Sequence, residues 1–250
     1  MGVSPVSSGQ RSMLRVVSAA LPEDRCALLL AAVGEADAGT AGTGASVLLD
    51  DVAAVDVSEV WWWSAAALRG RCNELLHGPV AIDLDQSWVR HQPAPSPGLD
   101  GYRPHSWHQD GALHFDFLAH AGTVLPAGEL LPMVTCWIAL TRCGVDAPGL
   151  ELVAKPAGEM LAPLDLRDDV VDVRWPDAQR LHPILAAGDA IVFTGEVLHR
   201  TFVTSAMTQS RTSVELRCFA ADAIPDRVRE DRFVVPQPSA ETPAWRGPSG

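Results

Sequence analysis

GDAIVFTGEVLHRTFVTSAMTQSRTSVELRCFA, residues 188–220, is the stretch on which the fold turns. Gly188-Asp189 is a turn signal, and the run from Ala190 to Phe193 follows it as a strand. A brief connection leads to His199, which opens a second strand. The polar turn from Ser205 to Ser210 reverses the chain, and Arg211 opens a third strand. Side chains two apart on a strand share a face, so Thr201 stands with His199 and Ser213 with Arg211. An imidazole suits a divalent transition metal, and a guanidinium is a planar fork that matches a carboxylate. A hairpin of this composition is suited to hold a metal and the far end of a dicarboxylate together.

Upstream, short β-rich runs recur between Gly and Pro: VAIDL at 80–84, SWVRHQ at 87–92, MVTCWIAL at 133–140 and GLELVA at 149–154. Many short strands at this spacing predict a β-sandwich or barrel. Before them the texture is helical. PEDRCALLLAAV predicts a helix over 21–33 with acidic residues in its first turn, where the helix dipole favours them. A second helix is expected over 58–77, with Leu68, Cys72, Leu75 and Leu76 at helical spacing. Trp61, Trp62 and Trp63 cannot all point one way, so one or two enter the core. GTAGTGAS, residues 39–46, lacks the Gly-Lys-Ser/Thr ending of a phosphate loop and reads as a turn. The expected layout is a helical flank over 1–78, a β core over 79–236 and a disordered tail over 237–250, in one structural domain.

Composition narrows the partners. The formal net charge is −12, and Lys155 is the only lysine. Such a surface repels phosphate backbones and anionic lipid, which argues against nucleic acid and membrane and leaves a small-molecule partner. No apolar run reaches membrane-spanning length and no secretory signal opens the chain, so a cytoplasmic location is expected. Five scattered cysteines without a CxxC pair indicate buried thiols, not a zinc knuckle or a disulfide framework.

A second signal is Trp107-His108-Gln109-Asp110. On a strand His108 and Asp110 would project from one face, and an imidazole with a carboxylate needs one further histidine to make a two-His, one-carboxylate set with open positions. A second copy follows at His114-Phe115-Asp116, although Gly111 argues against a continuous strand through both. Taken singly, His199 suits a core histidine, Trp137 a core aromatic, and Arg211 and Arg217 ordinary surface positions. His77, His105, His120 and His182 carry no assignment.

The order WHQD at 107–110, VTCWIAL at 134–140, APGLELV at 147–153, GDAIVF at 188–193 with Leu198-His199, and an arginine twelve residues past that histidine resembles the phytanoyl-CoA dioxygenase-like family. The likeness spans roughly 75–220. It implies a mainly β fold, the double-stranded β-helix (a cupin-like jelly roll), and an oxygenase using Fe(II), 2-oxoglutarate and O2. It also implies His108, Asp110 and His199 as iron ligands and Arg211 as the salt-bridge partner of the 2-oxoglutarate distal carboxylate. Trp137 and Thr201 match positions that touch the cosubstrate in this family, and Ser213 resembles the Arg-x-Ser pair of related oxygenases. Asp110 disfavours halogenation, since related halogenases carry a small residue there. Two departures stand out. The interval after Asp110 is long, which implies an inserted lid over 111–132, and Ala154-Lys155-Pro156-Ala157 replaces the usual Pro-Gly-Ser-His. Arg90, Tyr102, His114 and Asp116 lie near the metal segment in sequence and are candidates for substrate contact. The acidic surface favours a small or uncharged substrate, such as a natural-product intermediate or amino acid, over an acyl-CoA. A non-catalytic β-sandwich binding module and a cupin-like metalloenzyme without 2-oxoglutarate are the competing interpretations.

Overall fold

The computed structural model describes residues 13–36, 46–52, 55–95, 104–113, 132–153, 160–174, 180–224 and 232–237. Tyr102, His114, Asp116, His120, residues 154–157 and nearly all of the expected lid and tail lie outside them. In chain order the described elements are β1 (Leu14–Val17), α1 (Glu23–Ala36), β2 (Ser46–Leu48), α2 (Val57–Trp63), α3 (Ala66–Leu76), β3 (Val80–Asp83), β4 (Trp88–Gln92), β5 (Met133–Ala139), β6 (Gly149–Val153), α4 (Asp168–Arg174), β7 (Arg180–Leu181), β8 (Ala190–Thr194), β9 (Leu198–Phe202), β10 (Arg211–Ala220) and β11 (Phe233–Val234). Every strand read from the sequence is present.

The strands form two antiparallel sheets. The larger runs β1-β8-β5-β10, and the far edge of β10 is shared by β4, opposite residues 211–215, and β3, opposite residues 218–220. The strand β2 extends this sheet beyond β4, and β11 extends it beyond β3. The smaller sheet is β7-β6-β9. Alternation along each strand decides what lies between the layers. Val134, Cys136, Ile138, Val192, Val214, Leu216 and Cys218 turn away from the small sheet into a core shared with Leu29, Trp61, Leu68 and Cys72 of the helices. Their neighbours Trp137, Ala139, Ile191 and Phe193 turn the other way and meet Leu150 and Leu152 of the small sheet. Burying each such aliphatic side chain contributes about 1.5–3 kcal/mol, so both layers are firmly held.

Two local features differ from the sequence expectations, and the tryptophans divide as expected. The helix expected over 58–77 is broken. Ser64 is extended (φ −66°, ψ 148°), and its Oγ and N–H both return to the Val60 carbonyl, so α2 ends and α3 restarts at Ala66. Among the tryptophans, Trp61 enters the core, while Trp62 and Trp63 lie at its border beneath the guanidinium groups of Arg69 and Arg25. The N-terminal part is also not purely helical, since β1 pairs along β8 and β2 along β4. Among the described residues no helix is long and apolar enough to cross a membrane.

Candidate metal centre

The segment that carries WHQD is a strand only at one point. His108 and His199 exchange both backbone hydrogen bonds at 3.0 Å, and Thr201 N–H donates to the His105 carbonyl at 3.0 Å, so residues 105–108 lie along β9. Beyond Gln109 the chain turns into a 3-10 turn at Asp110–Leu113. The expected i, i+2 strand face is therefore replaced by a bridge followed by a turn, which still swings Asp110 toward both imidazoles. Gly111 makes that turn possible. Its N–H donates to the Gly195 carbonyl at 2.9 Å, and a Cβ at Gly111 would meet that oxygen at 3.0 Å. Trp107 and Gln109 anchor the segment from the other side. Trp107 is buried with Val153, Leu161, Val171 and Leu198 under the Arg180 and Arg200 guanidiniums, and the Gln109 amide bonds to the Glu196 carbonyl and the Leu161 N–H.

The outcome is one cluster. Ligand atoms of His108, Asp110 and His199 all lie within 4.8 Å of one another, and each imidazole Nε2 is 3.8 Å from an Asp110 oxygen. The donor set fits a divalent transition ion. His108 Nδ1 lies 2.7 Å from the Ser106 carbonyl and His199 Nδ1 2.9 Å from the Val197 carbonyl. A carbonyl only accepts, so both Nδ1 atoms carry the proton and both Nε2 lone pairs are available to a metal. Burial, together with the nearby His199, lowers His108 to about 4, which keeps it neutral as a ligand must be. Burial alone would raise the Asp110 carboxyl. The Arg217 guanidinium, the two histidines and the Thr135 hydroxyl, which donates to Oδ2 at 2.6 Å, outweigh it and hold the group well below the usual carboxylate range.

Sequence reasoning missed the charges behind this cluster. Arg217, read as a surface residue, is only 4% exposed and donates to Asp110 Oδ1 and Glu215 Oε2, both at 3.1 Å. Arg90 faces the other oxygen of Glu215, with Nε 3.1 Å from Oε1. A signal existed: Arg211, Ser213, Glu215 and Arg217 occupy alternate positions of β10, with apolar residues between them from Val214 onward. Arg211 is 1% exposed, stacks over the Trp137 ring at 4.9 Å and donates to the Gly149 carbonyl at 3.2 Å. It shares one cavity, of about 20 Å³, with Trp137, Thr201 and the three ligand candidates. Trp137 serves in the core as well as in this wall, and its Nε1 is buried without a hydrogen-bond partner. Ser213 is fully buried with its Oγ likewise unpartnered, yet it is not among the residues that line the cavity. A second cavity of about 420 Å³ adjoins the first and shares Arg90, His105, His108, Asp110 and Arg217 with it. Arg90 thus lines both cavities, and His105, unassigned from sequence, joins it with its ring 5.2 Å from that of His108. His182 bonds instead to Glu151 in the small sheet.

Comparison with solved structures places the architecture. EctD from S. alaskensis, crystallised with 2-oxoglutarate and 5-hydroxyectoine, superposes with a TM-score of 0.65 at 15% identity, over 89% of this chain and 79% of that one. The alpha ketoglutarate dependent carbocyclase SnoK from nogalamycin biosynthesis gives 0.53 at 17% identity, over 84% and 80%. EvdO2 from Micromonospora carbonacea var. aurantiaca, complexed with 2-oxoglutarate, gives 0.58 at 15% identity, over 83% and 86%. At such identities the likeness is one of fold. No curated protein matches the chain by sequence. The family profile described as phytanoyl-CoA dioxygenase, in contrast, matches residues 15–211, well over half the chain. By that match, the resemblance read from its motifs is membership, and the chain belongs to the phytanoyl-CoA dioxygenase family.

Proposed function

We propose that this protein is an iron(II)- and 2-oxoglutarate-dependent oxygenase that hydroxylates a small molecule. His108, Asp110 and His199 hold the iron, and Arg211 receives the distal carboxylate of the keto acid beside Trp137 and Thr201. The observation that carries this is the meeting of three ligand groups and a buried arginine in one cavity, both histidines having Nδ1 tied to backbone and Nε2 available. The sheets, facing through Trp137, Phe193, Leu150 and Leu152, are the two halves of a double-stranded β-helix, with α1 and α3 packed on its outer face. Residues 1–78 and 79–236 then make one domain. Five free thiols suit the reducing cytoplasm.

Iron, when bound, supplies the redox centre at which the keto acid and O2 react, yielding succinate, carbon dioxide and one oxygen atom for the substrate. The chain's own groups do the positioning. Thr135 and Arg217 take one Asp110 oxygen each, which fixes the plane of the carboxylate. A guanidinium such as that of Arg211 matches a carboxylate with parallel N–H bonds, and in a dry setting such a pair is strong. With its side chains as they stand, the inner cavity has room for about one water, so admitting the keto acid requires the lining side chains to draw back.

Anaerobic addition of iron(II) and 2-oxoglutarate is expected to give a visible charge-transfer band, and admission of air is expected to yield succinate. His199→Ala should abolish the band. Arg211→Ala should raise the 2-oxoglutarate concentration needed for the band at least tenfold while iron binding changes little. A protein that never develops the band is not this enzyme, and an unchanged 2-oxoglutarate requirement in Arg211→Ala removes that residue from its role.

A further inference from the structure

Charge around the inner site does not balance once its groups are counted. Among the described residues three guanidiniums line it, those of Arg90, Arg211 and Arg217, against the two carboxylates of Asp110 and Glu215. A divalent ion and a dianionic keto acid cancel one another, so these described groups leave one guanidinium in excess. Unbalanced charge held away from water is costly, and a ligand of opposite sign relieves it.

The excess has an address. Asp110 and Glu215 both engage Arg217, and Arg211 faces the keto-acid end. The Arg90 side chain meets Glu215 through Nε and makes no other hydrogen bond or ion pair among the described residues, so its Nη atoms remain for a ligand. Arg90 lines both the inner cavity and the larger one beside it. Trp88, Arg90 and Gln92 alternate on one face of that strand, and Trp88 and Arg90 both line the cavity of about 420 Å³, together with Ser46, Gln86 and His105. That volume lies within the range of small-molecule sites, roughly 300–1,000 Å³. His108 and Asp110 line both this cavity and the inner one, so a molecule held here lies against the metal candidates.

We propose that the larger cavity binds a small organic monoanion, a carboxylic acid with a flat or apolar body, whose carboxylate sits on the Nη edge of Arg90 and whose body lies along Trp88. This rests on the oxygenase assignment and specifies its substrate class. It narrows the sequence expectation of a small or uncharged substrate to a small anionic one. The net charge of −12 belongs to the surface, whereas the recess is locally positive and concentrates anions that reach it.

The test uses the full chain loaded anaerobically with iron(II) and saturating 2-oxoglutarate, the visible band reporting loading. Matched probe pairs, phenylacetate with phenylacetamide and cyclohexanecarboxylate with its amide, are then titrated by calorimetry. The acid of each pair is expected to bind at least tenfold more tightly than the amide, without loss of the band. Arg90→Gln should abolish that preference while leaving the 2-oxoglutarate requirement unchanged. Equal affinities, binding of neither member, or loss of the band as the acid displaces 2-oxoglutarate would each overturn the proposal with the oxygenase assignment intact. An acid preference that persists in Arg90→Gln overturns it equally. The wild-type comparison decides by itself should that variant not fold. Absence of the band before any probe is added refutes the oxygenase assignment and this inference with it.

Discussion

At the scale of single residues, Arg217 shows how a candidate metal ligand is supported from behind. A carboxylate buried with 2% exposure needs compensation, and Asp110 receives it from one guanidinium and one hydroxyl. Removing the guanidinium leaves Asp110 and Glu215 both buried and short of their shared cation. Arg217→Met is therefore expected to cost about 3–5 kcal/mol in urea unfolding of the metal-free protein. Iron affinity should fall about 10–100-fold, as measured by titration of the band. Thr135→Val removes one hydrogen bond and should cost about 1–3 kcal/mol, with a smaller effect on iron. An Arg217→Met protein as stable as the parent would mean that the guanidinium does not compensate Asp110.

At the scale of elements, the turn into β8 and the buried ion cluster of the small sheet hold the two halves of the site in register. Gly188 has φ 86°, a left-handed conformation open to glycine, and a Cβ there would come within 2.3 Å of the Leu21 carbonyl. The same Leu21 donates its N–H to the Gly188 carbonyl at 2.9 Å, which fastens the start of α1 to the larger sheet. Gly188→Ala is thus expected to destabilise by about 1–3 kcal/mol, read as a lowered urea midpoint with unchanged slope. On the opposite sheet Glu151 of β6 takes Arg200 of β9 at 2.5 Å and Arg180 of β7 at 3.3 Å, with His182 also at 3.3 Å. Burial would raise its carboxyl, but Arg200 foremost among these partners pulls it below the ordinary value. A depressed carboxyl contributes stability above the unfolded value, about 4.3, and loses it as pH falls through the folded one. Glu151→Gln should therefore cost about 2 kcal/mol at pH 7. The gap between the two proteins should close as unfolding is repeated at pH values below the ordinary glutamate range; a gap independent of pH would mean the charge is not what matters.

Across the whole molecule, an acidic exterior encloses a recess whose charged groups come mostly from one strand, β10. Much of this was legible. Alternation and turn chemistry are local properties, so every strand of the core, the turn at Gly188-Asp189 and the candidates His108, Asp110, His199 and Arg211 could be read from residue order. The short strands β1 and β2 were not, because their backbone partners lie far along the chain and leave no periodic trace; nor was the break at Ser64, whose Oγ and N–H turn back on the Val60 carbonyl. Arg217 and Glu215 are the sharper case. A strand with apolar residues on one face and charged ones on the other reads as half-exposed, and nothing in its own composition tells water from a second sheet. What the amino-acid order determined by itself was which side chains share a face and in which sequence the metal and carboxylate partners arrive. Which face is sealed, and therefore which charges must be balanced, was decided only when β6 and β9 closed over β10, since burial depends on what packs opposite a residue and not on its neighbours in the chain.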